Sequence, residues 1–227
     1  MMLEPVEEMK KKAGEKAVEY IEDGMTLGLG SGSTVYWTIK KIGNLVQQGM
    51  NVKGIPTSLR TQRWAKEFGI PLTNFSDVEL LDVTIDGADE FTSQLDLLKG
   101  GGGSLVREKM VAEASSKVII VVDKAKKVET LGKRPVPVEV IPFGWERTAK
   151  KIRRIHGIPQ LRKISESDIF ISDNGNYIFD CEFNSITNPE YLHKQLKSMC
   201  GVVETGLFIN MADIILIGEE AHVSHIR

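Results

Sequence analysis

Residues 86–109 read DGADEFTSQLDLLKGGGGSLVREK, and the rest of the chain is best read outward from them. Just upstream, residues 82–85 (DVTI) predict a strand, because Val83, Thr84 and Ile85 are β-branched in succession. The strand ends at Asp86, and two residues of little bulk, Gly87 and Ala88, lead to Asp89. Two carboxylates therefore stand at the mouth of a strand, where open α/β sheets hold ligands. Lys99 follows ten residues after Asp89 and opens onto Gly100, Gly101, Gly102 and Gly103. A backbone with no side chains can approach a ligand closely. Ser104 then supplies an N-cap for a helix predicted over 105–115. On it Glu108 shares a face with Leu105, Val111 and Ala112. Placed in the second turn, beyond the strongest reach of the helix dipole, this carboxylate is expected to be desolvated and its pKa raised toward a useful base. Taken singly, the acidic run fits a surface turn and the glycines fit a linker. Together in one strand–loop–helix unit, they point to chemistry.

A second glycine-rich turn precedes this unit. Residues 25–29 predict a strand running into Gly30, Ser31, Gly32, Ser33 and Thr34, followed by a helix with Val35, Ile39, Ile42 and Leu45/Val46 as its apolar stripe. Strand, glycine turn and helix N-terminus make an anion site, since free N–H groups and hydroxyls converge there. No Gly-Lys-Ser/Thr follows, so it is not a Walker loop. The third glycine of a dinucleotide fingerprint is replaced by Ser33, and the strand at 52–56 ends without an acidic residue. A single phosphate fits better than a nucleotide; a tight turn with an N-cap is the plainer alternative.

Amphipathic spacing predicts a first helix over 6–21, with Val6, Met9, Ala13, Ala17 and Ile21 inward. A helix from Thr57 to Phe68 follows the second strand, and the apolar run 117–123 (KVIIVVD) fits a central parallel strand. This alternation predicts an α/β fold with a doubly wound parallel Rossmann-like sheet. At Pro135 the style changes to a proline-punctuated extended segment. Beyond it come a helix over 145–155, β-type runs at 169–172 and 177–181 around Asn174-Gly175, a helix over 189–199 and a strand over 202–207. That order suits a smaller ferredoxin-like α+β domain. The expected organisation is thus residues 1–134 plus 211–227 in the large domain and 135–210 in the small one.

Composition narrows the class. The 227 residues are 41% hydrophobic and 26% charged, ordinary for a globular protein. A net charge of −2 offers no general attraction to nucleic acid or to an anionic membrane. No segment approaches a membrane span, and the N-terminal MMLEPVEEMKKK lacks the apolar core of an export signal, so a cytoplasmic location is expected. Cys181 and Cys200 form no CxxC and read as packing residues.

DGADE followed by KGGGGSLVREK resembles the type A ribose-5-phosphate isomerase family, which interconverts ribose 5-phosphate and ribulose 5-phosphate in the non-oxidative pentose phosphate pathway. LGKRPVPVEVIP at 131–142, SDNGNYIFD at 172–180 and GVVETGLF at 201–208 extend the likeness over nearly the whole chain. The resemblance implies that Glu108 is the base moving a proton between C1 and C2, and that Lys99 offsets the charge of an enediolate. Asp86 and Asp89 would then serve proton transfers at the hydroxyls, including ring opening. It also implies that Ser31, Gly32, Ser33 and Thr34 hold the phosphate; the family commonly has GTGST there, and Ser31 keeps the hydroxyl. Substrate contacts are implied for Gly87, Ala88, Gly100, Gly101, Gly102 and Lys126, and for Lys10 near the phosphate. No cofactor or metal is implied, and a homodimer is. An amino-sugar phosphate isomerase/deaminase on a similar fold conflicts with the complete DGADE and KGGGG pair. A non-enzymatic sugar-phosphate sensor needs a helix-turn-helix, and only one helix precedes the first strand.

Overall fold

The computed structural model describes residues 3–227; Met1 and Met2, which open the stretch read for an export signal, lie outside the described residues. In chain order the elements begin with α1 (Pro5–Lys16), β1 (Thr26–Leu29), α2 (Ser33–Gln47), β2 (Lys53–Pro56), α3 (Leu59–Glu67) and β3 (Val83–Gly87). Next come β4 (Glu90–Phe91), β5 (Leu97–Leu98), α4 (Leu105–Glu113), β6 (Val118–Asp123), β7 (Val136–Val140), α5 (Trp145–Arg154) and β8 (Ile158–Leu161). The chain ends with β9 (Tyr177–Glu182), α6 (Pro189–Lys197), β10 (Val202–Thr205), β11 (Leu207–Phe208), β12 (Ile214–Gly218) and β13 (Val223–Ile226).

Two compact units emerge. The first gathers the residues up to Ala88 with Arg107–Lys126 and Met211–Arg227; the second gathers Asp89–Val106 and Lys127–Asn210. The expected division had put 89–106 and 127–134 in the large domain. Backbone pairing explains the difference: β5 pairs antiparallel with both β4 and β11, and the Phe91 carbonyl accepts the N–H of Val128 at 2.9 Å. Strands of two residues have no hydrophobic period to read, so this small three-stranded sheet was invisible in the sequence.

The first unit is a doubly wound α/β layer. Its six-stranded sheet runs β13-β12-β6-β3-β1-β2, parallel except for β13 at the edge. Leu27, Leu29, Val83, Ile85, Ile119 and Val121 of the sheet bury themselves with Ala13, Ala17, Val35, Ile39 and Ile42 of the helices. On the other face Val111 of α4 packs with Ile55 and Leu81. Burial of both faces explains why β6 is buried throughout and apolar up to its last residue, Asp123. The inward stripe of the first helix starts at Met9, because Val6 in its first turn is exposed, and the helix ends at Lys16 before a 3₁₀ turn over Ala17–Tyr20.

The second unit contains the order β7-α5-β8-β9-α6-β10 as an antiparallel sheet, β10-β7-β9-β8. This is the ferredoxin-like βαββαβ arrangement. Val136, Val138, Val140, Phe179 and Cys181 face Ala149, Ile152, Leu192 and Leu196 of the two helices. Burial pushes the Cys181 thiol pKa far up, with the Asp180 charge adding to it, which leaves this cysteine a packing residue. The predicted hairpin arm at 169–172 is not a strand: Ile171 makes only an isolated bridge to Tyr177, while β9 takes β7 and β8 as its partners. Its turn is nevertheless closed, with the Ser172 N–H donating to the Asn176 carbonyl at 2.9 Å. Among the described residues no helix is long and apolar enough to cross a membrane.

Candidate active site

In the first unit the strand order reverses between β1 and β3. The residues following those two strands open at the carboxyl edge of the sheet, where such folds bind ligands. β1 delivers Gly30 and the turn to α2, and β3 delivers Asp86. The two are joined directly: Asp86, only 2% exposed, accepts the N–H of Ser31 at 2.8 Å and its neighbour Gly87's N–H at 2.7 Å on one carboxylate oxygen. The Gly30 N–H donates to the Ile85 carbonyl at 3.0 Å. Gly30 has to be glycine, because a Cβ there would lie 2.4 Å from an Asp86 carboxylate oxygen and 2.5 Å from the Asp86 Cα.

Gly32 caps α2 with a φ of 115°, a conformation that favours glycine. The helix begins at Ser33, so its first-turn N–H groups and the positive end of its dipole look out over the loop. Ser33 is exposed and Thr34 is buried. Ser31 behaves differently from the expectation that its hydroxyl meets the phosphate. Its Oγ is 2.8 Å from both Thr57 Oγ1 and Ser58 Oγ, and Thr61 donates from Oγ1 to the Gly30 carbonyl at 2.8 Å. This buried hydroxyl cluster braces the loop from behind. The sequence displayed it only as a Ser/Thr-rich helix start, and Ser58 is indeed an N-cap, accepting the Thr61 N–H at 3.0 Å.

The same carboxyl edge carries Lys126, half-buried on the 3₁₀ turn Lys124–Lys126 after β6. Its neighbour Lys124 is engaged by Glu220 at 2.7 Å, which separates the roles of the two lysines. Lys10 on α1 pairs with Glu7 at 2.6 Å, and that bond holds the Glu7 carboxyl below its usual range. Glu108 is 4% exposed on α4, beside the buried Val111 and Ala112. It sits in the first turn of the helix, not the second, because the helix starts at Leu105. Glu108 therefore lies within reach of the helix dipole, contrary to the expectation from the sequence. Lys109, next to it, is also buried, which the apolar-face pattern did not anticipate.

In the second unit Asp89 and the glycine loop are bonded together. The Gly101 N–H donates to Asp89 Oδ2 at 2.8 Å, and the Asp89 N–H donates to the Leu98 carbonyl at 2.8 Å. A Cβ on Gly101 would lie 2.8 Å from both Asp89 carboxylate oxygens. Gly100 and Gly103 take φ values of 91° and 85°, so the run is a defined turn and not a linker. Lys99 is 3% exposed, its N–H bonded to the Gly206 carbonyl at 2.8 Å and its ammonium 5.3 Å from the centre of the Phe208 ring. Among the described residues no group of three or more His, Cys, Asp or Glu side chains is arranged to hold a metal ion.

Comparison with known proteins gives one answer. Residues 53–222 match the family model described as ribose 5-phosphate isomerase A (phosphoriboisomerase A). Ribose-5-phosphate isomerase A 1 of Oceanobacillus iheyensis is 50% identical over 218 residues, covering 96% of this chain and 97% of that protein. A solved D-ribose-5-phosphate isomerase in complex with phospho-erythronic acid superposes with a TM-score of 0.94 at 38% identity, covering 98% of this chain and 99% of the other. The ribose 5-phosphate isomerase A of Methanocaldococcus jannaschii gives a TM-score of 0.93 at 35% identity, covering 97% and 99%.

Proposed function

The chain belongs to the ribose 5-phosphate isomerase A family and interconverts ribose 5-phosphate and ribulose 5-phosphate, and on that premise we propose how its residues divide the work. Glu108 takes the C2 proton of the open-chain aldose and returns it to C1, passing through an enediolate. A positioned base contributes about 10²–10⁴-fold to such a step. Lys99 offsets the charge that develops on the C1 and C2 oxygens, an electrostatic contribution of about 10²–10³-fold. Asp86 and Asp89 move protons at the hydroxyls and assist ring opening. The glycine loop at 100–102 and residues 87–88 offer backbone to the sugar, and Lys126 offers a cation.

The phosphate is assigned to the Gly32–Thr34 turn at the N-terminus of α2, braced by Ser31. Held there, it uses binding energy remote from the reaction to position C1 and C2. The observation that carries the reading is the Ser31 N–H bond to Asp86, which ties the anion turn to the first carboxylate of DGADE. Phospho-erythronic acid, held by a solved relative, carries a phosphate together with a carboxylate; the proposed intermediate has a phosphate too and, in place of the carboxylate, the negative charge of its enediolate oxygens. The reaction fits the pentose phosphate pathway, and a cytoplasmic homodimer is proposed for this chain. Light scattering on the purified protein should return about twice the chain mass of 25.2 kDa.

The direct test offers purified protein ribose 5-phosphate and glucosamine 6-phosphate in parallel. Turnover of the pentose phosphate alone is expected; release of ammonia from the amino sugar would contradict the assignment. A second experiment addresses the phosphate turn. Ser33→Ala or Thr34→Ala removes one hydroxyl donor to a charged group, an interaction worth roughly 1.5–3 kcal/mol. KM for ribose 5-phosphate should rise about 10-fold or more with the fold intact, and free ribose should be a very poor substrate. Comparable turnover of free ribose would remove this role from the turn.

A further inference from the structure

Arg162 follows β8 and lies outside every residue assigned so far. Its guanidinium has five N–H donors in a fixed fork. The Nε donates to Asp180 Oδ2 at 2.9 Å and Nη2 donates to Asp180 Oδ1, a bidentate pair with a carboxylate on β9. Its Nη1 reaches the other way and donates to the Gly100 carbonyl at 3.1 Å and the Gly101 carbonyl at 3.2 Å. The group also lies over the Phe170 ring, 5.6 Å from its centre, and Gly103 is packed so closely on that ring that a Cβ would meet it at 2.4 Å. The Arg162 side chain is 13% exposed, so these charge-assisted bonds are largely shielded from water.

One peptide unit connects this cluster to the proposed chemistry. The Gly100 carbonyl and the Gly101 N–H belong to the same planar peptide and point in opposite directions. Arg162 holds the carbonyl side; the N–H side donates to Asp89 Oδ2 at 2.8 Å. Flanked by two glycines, this peptide has little side-chain hindrance against rotating about its neighbouring bonds. A rotated peptide would turn a carbonyl oxygen, in place of an N–H, toward the Asp89 carboxylate. We propose that Arg162, held by Asp180, is a positioning residue that locks the Gly100–Gly101 peptide and thereby sets the Asp89 carboxylate. The proposal rests on the reading that Asp89 takes part in catalysis.

The test is a double-mutant cycle on the full-length enzyme, using Arg162→Lys and Asp89→Asn, singly and together. Lysine keeps the charge but cannot grip Asp180 bidentately and span two carbonyls. Misplacement of a reacting group by about 1 Å can cost on the order of 10²-fold. Arg162→Lys should therefore lower kcat about 10- to 100-fold, with KM changed less than about 3-fold. In the Asp89→Asn background the same change should lower kcat less than about 3-fold further, because the group it positions is already gone. A purely structural contribution would be additive, and additivity overturns the proposal. So does an unchanged kcat in Arg162→Lys. If Asp89→Asn alone leaves turnover intact, the catalytic reading of Asp89 fails, and the proposal falls with it, whereas an additive result leaves that reading standing. Thermal unfolding confirms that each variant is folded. Should Arg162→Lys fail to fold, Asp180→Asn replaces it in the cycle with the same expected coupling.

Discussion

Glu108→Gln should lower kcat by at least about 10²-fold in both directions while leaving KM close to that of the unaltered enzyme. The substitution keeps the size and hydrogen-bonding capacity of the side chain but removes its ability to accept a proton from carbon. Glu108 is buried on α4, so replacing it with a neutral isostere leaves the packing of Val111 and Ala112 in place. A group whose contribution arises only in the transition state affects kcat and kcat/KM equally. Steady-state kinetics from both ribose 5-phosphate and ribulose 5-phosphate check the symmetry. A KM increase with kcat preserved would instead make Glu108 a binding residue.

Gly30→Ala is expected to be nearly as damaging, through geometry and not through chemistry. The added methyl would lie within 2.5 Å of the Asp86 Cα, a backbone atom that cannot swing aside as a flexible side chain does. Either the end of β3 or the turn into α2 has to move. Such overpacking costs about 1–3 kcal/mol, which for a chain of this size lowers Tm by about 2–12 °C. The larger effect falls on activity, because Asp86 and Ser31 share the bond that the methyl would disturb. A displacement near 1 Å would lower kcat/KM on the order of 10²-fold. Gly24→Ala serves as the control: Gly24 has a positive φ, of 88°, which Gly30 does not, but a Cβ there meets nothing within 4 Å. It should lower Tm modestly and leave kcat/KM unchanged. Full activity in Gly30→Ala would separate Asp86 from the reaction.

The large sheet was legible because its strands are either fully buried apolar runs, as at Val118–Asp123, or short strands closed by glycine turns, as at Gly30. The small domain was legible from the order of its elements, with Asn174-Gly175 marking a turn that does close. What remained hidden depends on long-range pairing. Leu97–Leu98 reaches Leu207–Phe208 across more than a hundred residues, and nothing in either dipeptide announces the partner. The edge strand Val223–Ile226, half-exposed and interrupted by Ser224 and His225, has too little apolar content to stand out. The candidate site shows the same division. Asp86, Asp89, Lys99 and Glu108 stand out as candidates because they crowd one strand–loop–helix segment of the sequence. Ser31's commitment to Thr57 and Ser58, and Arg162's grip on Gly100 and Gly101, come from residues about 26 to 62 positions apart. They could be seen only once the chain was folded.

Glu108 is proposed to carry the proton between C1 and C2, a claim that deuterium exchange tests without recourse to net conversion. Enzyme and ribulose 5-phosphate are incubated in D₂O, and incorporation at C1 and C2 is followed by NMR for the unaltered protein and for Glu108→Gln, Asp86→Asn and Asp89→Asn. Starting from the open-chain ketose bypasses ring opening, so a defect confined to that step would be relieved. Glu108→Gln is expected to lose carbon exchange by at least about 10²-fold, in step with its loss of kcat. Asp86→Asn and Asp89→Asn are predicted to retain more exchange from the ketose than their slower conversion of ribose 5-phosphate suggests. Near-normal exchange in Glu108→Gln together with its loss in either aspartate variant would contradict the claim and move the base to that aspartate.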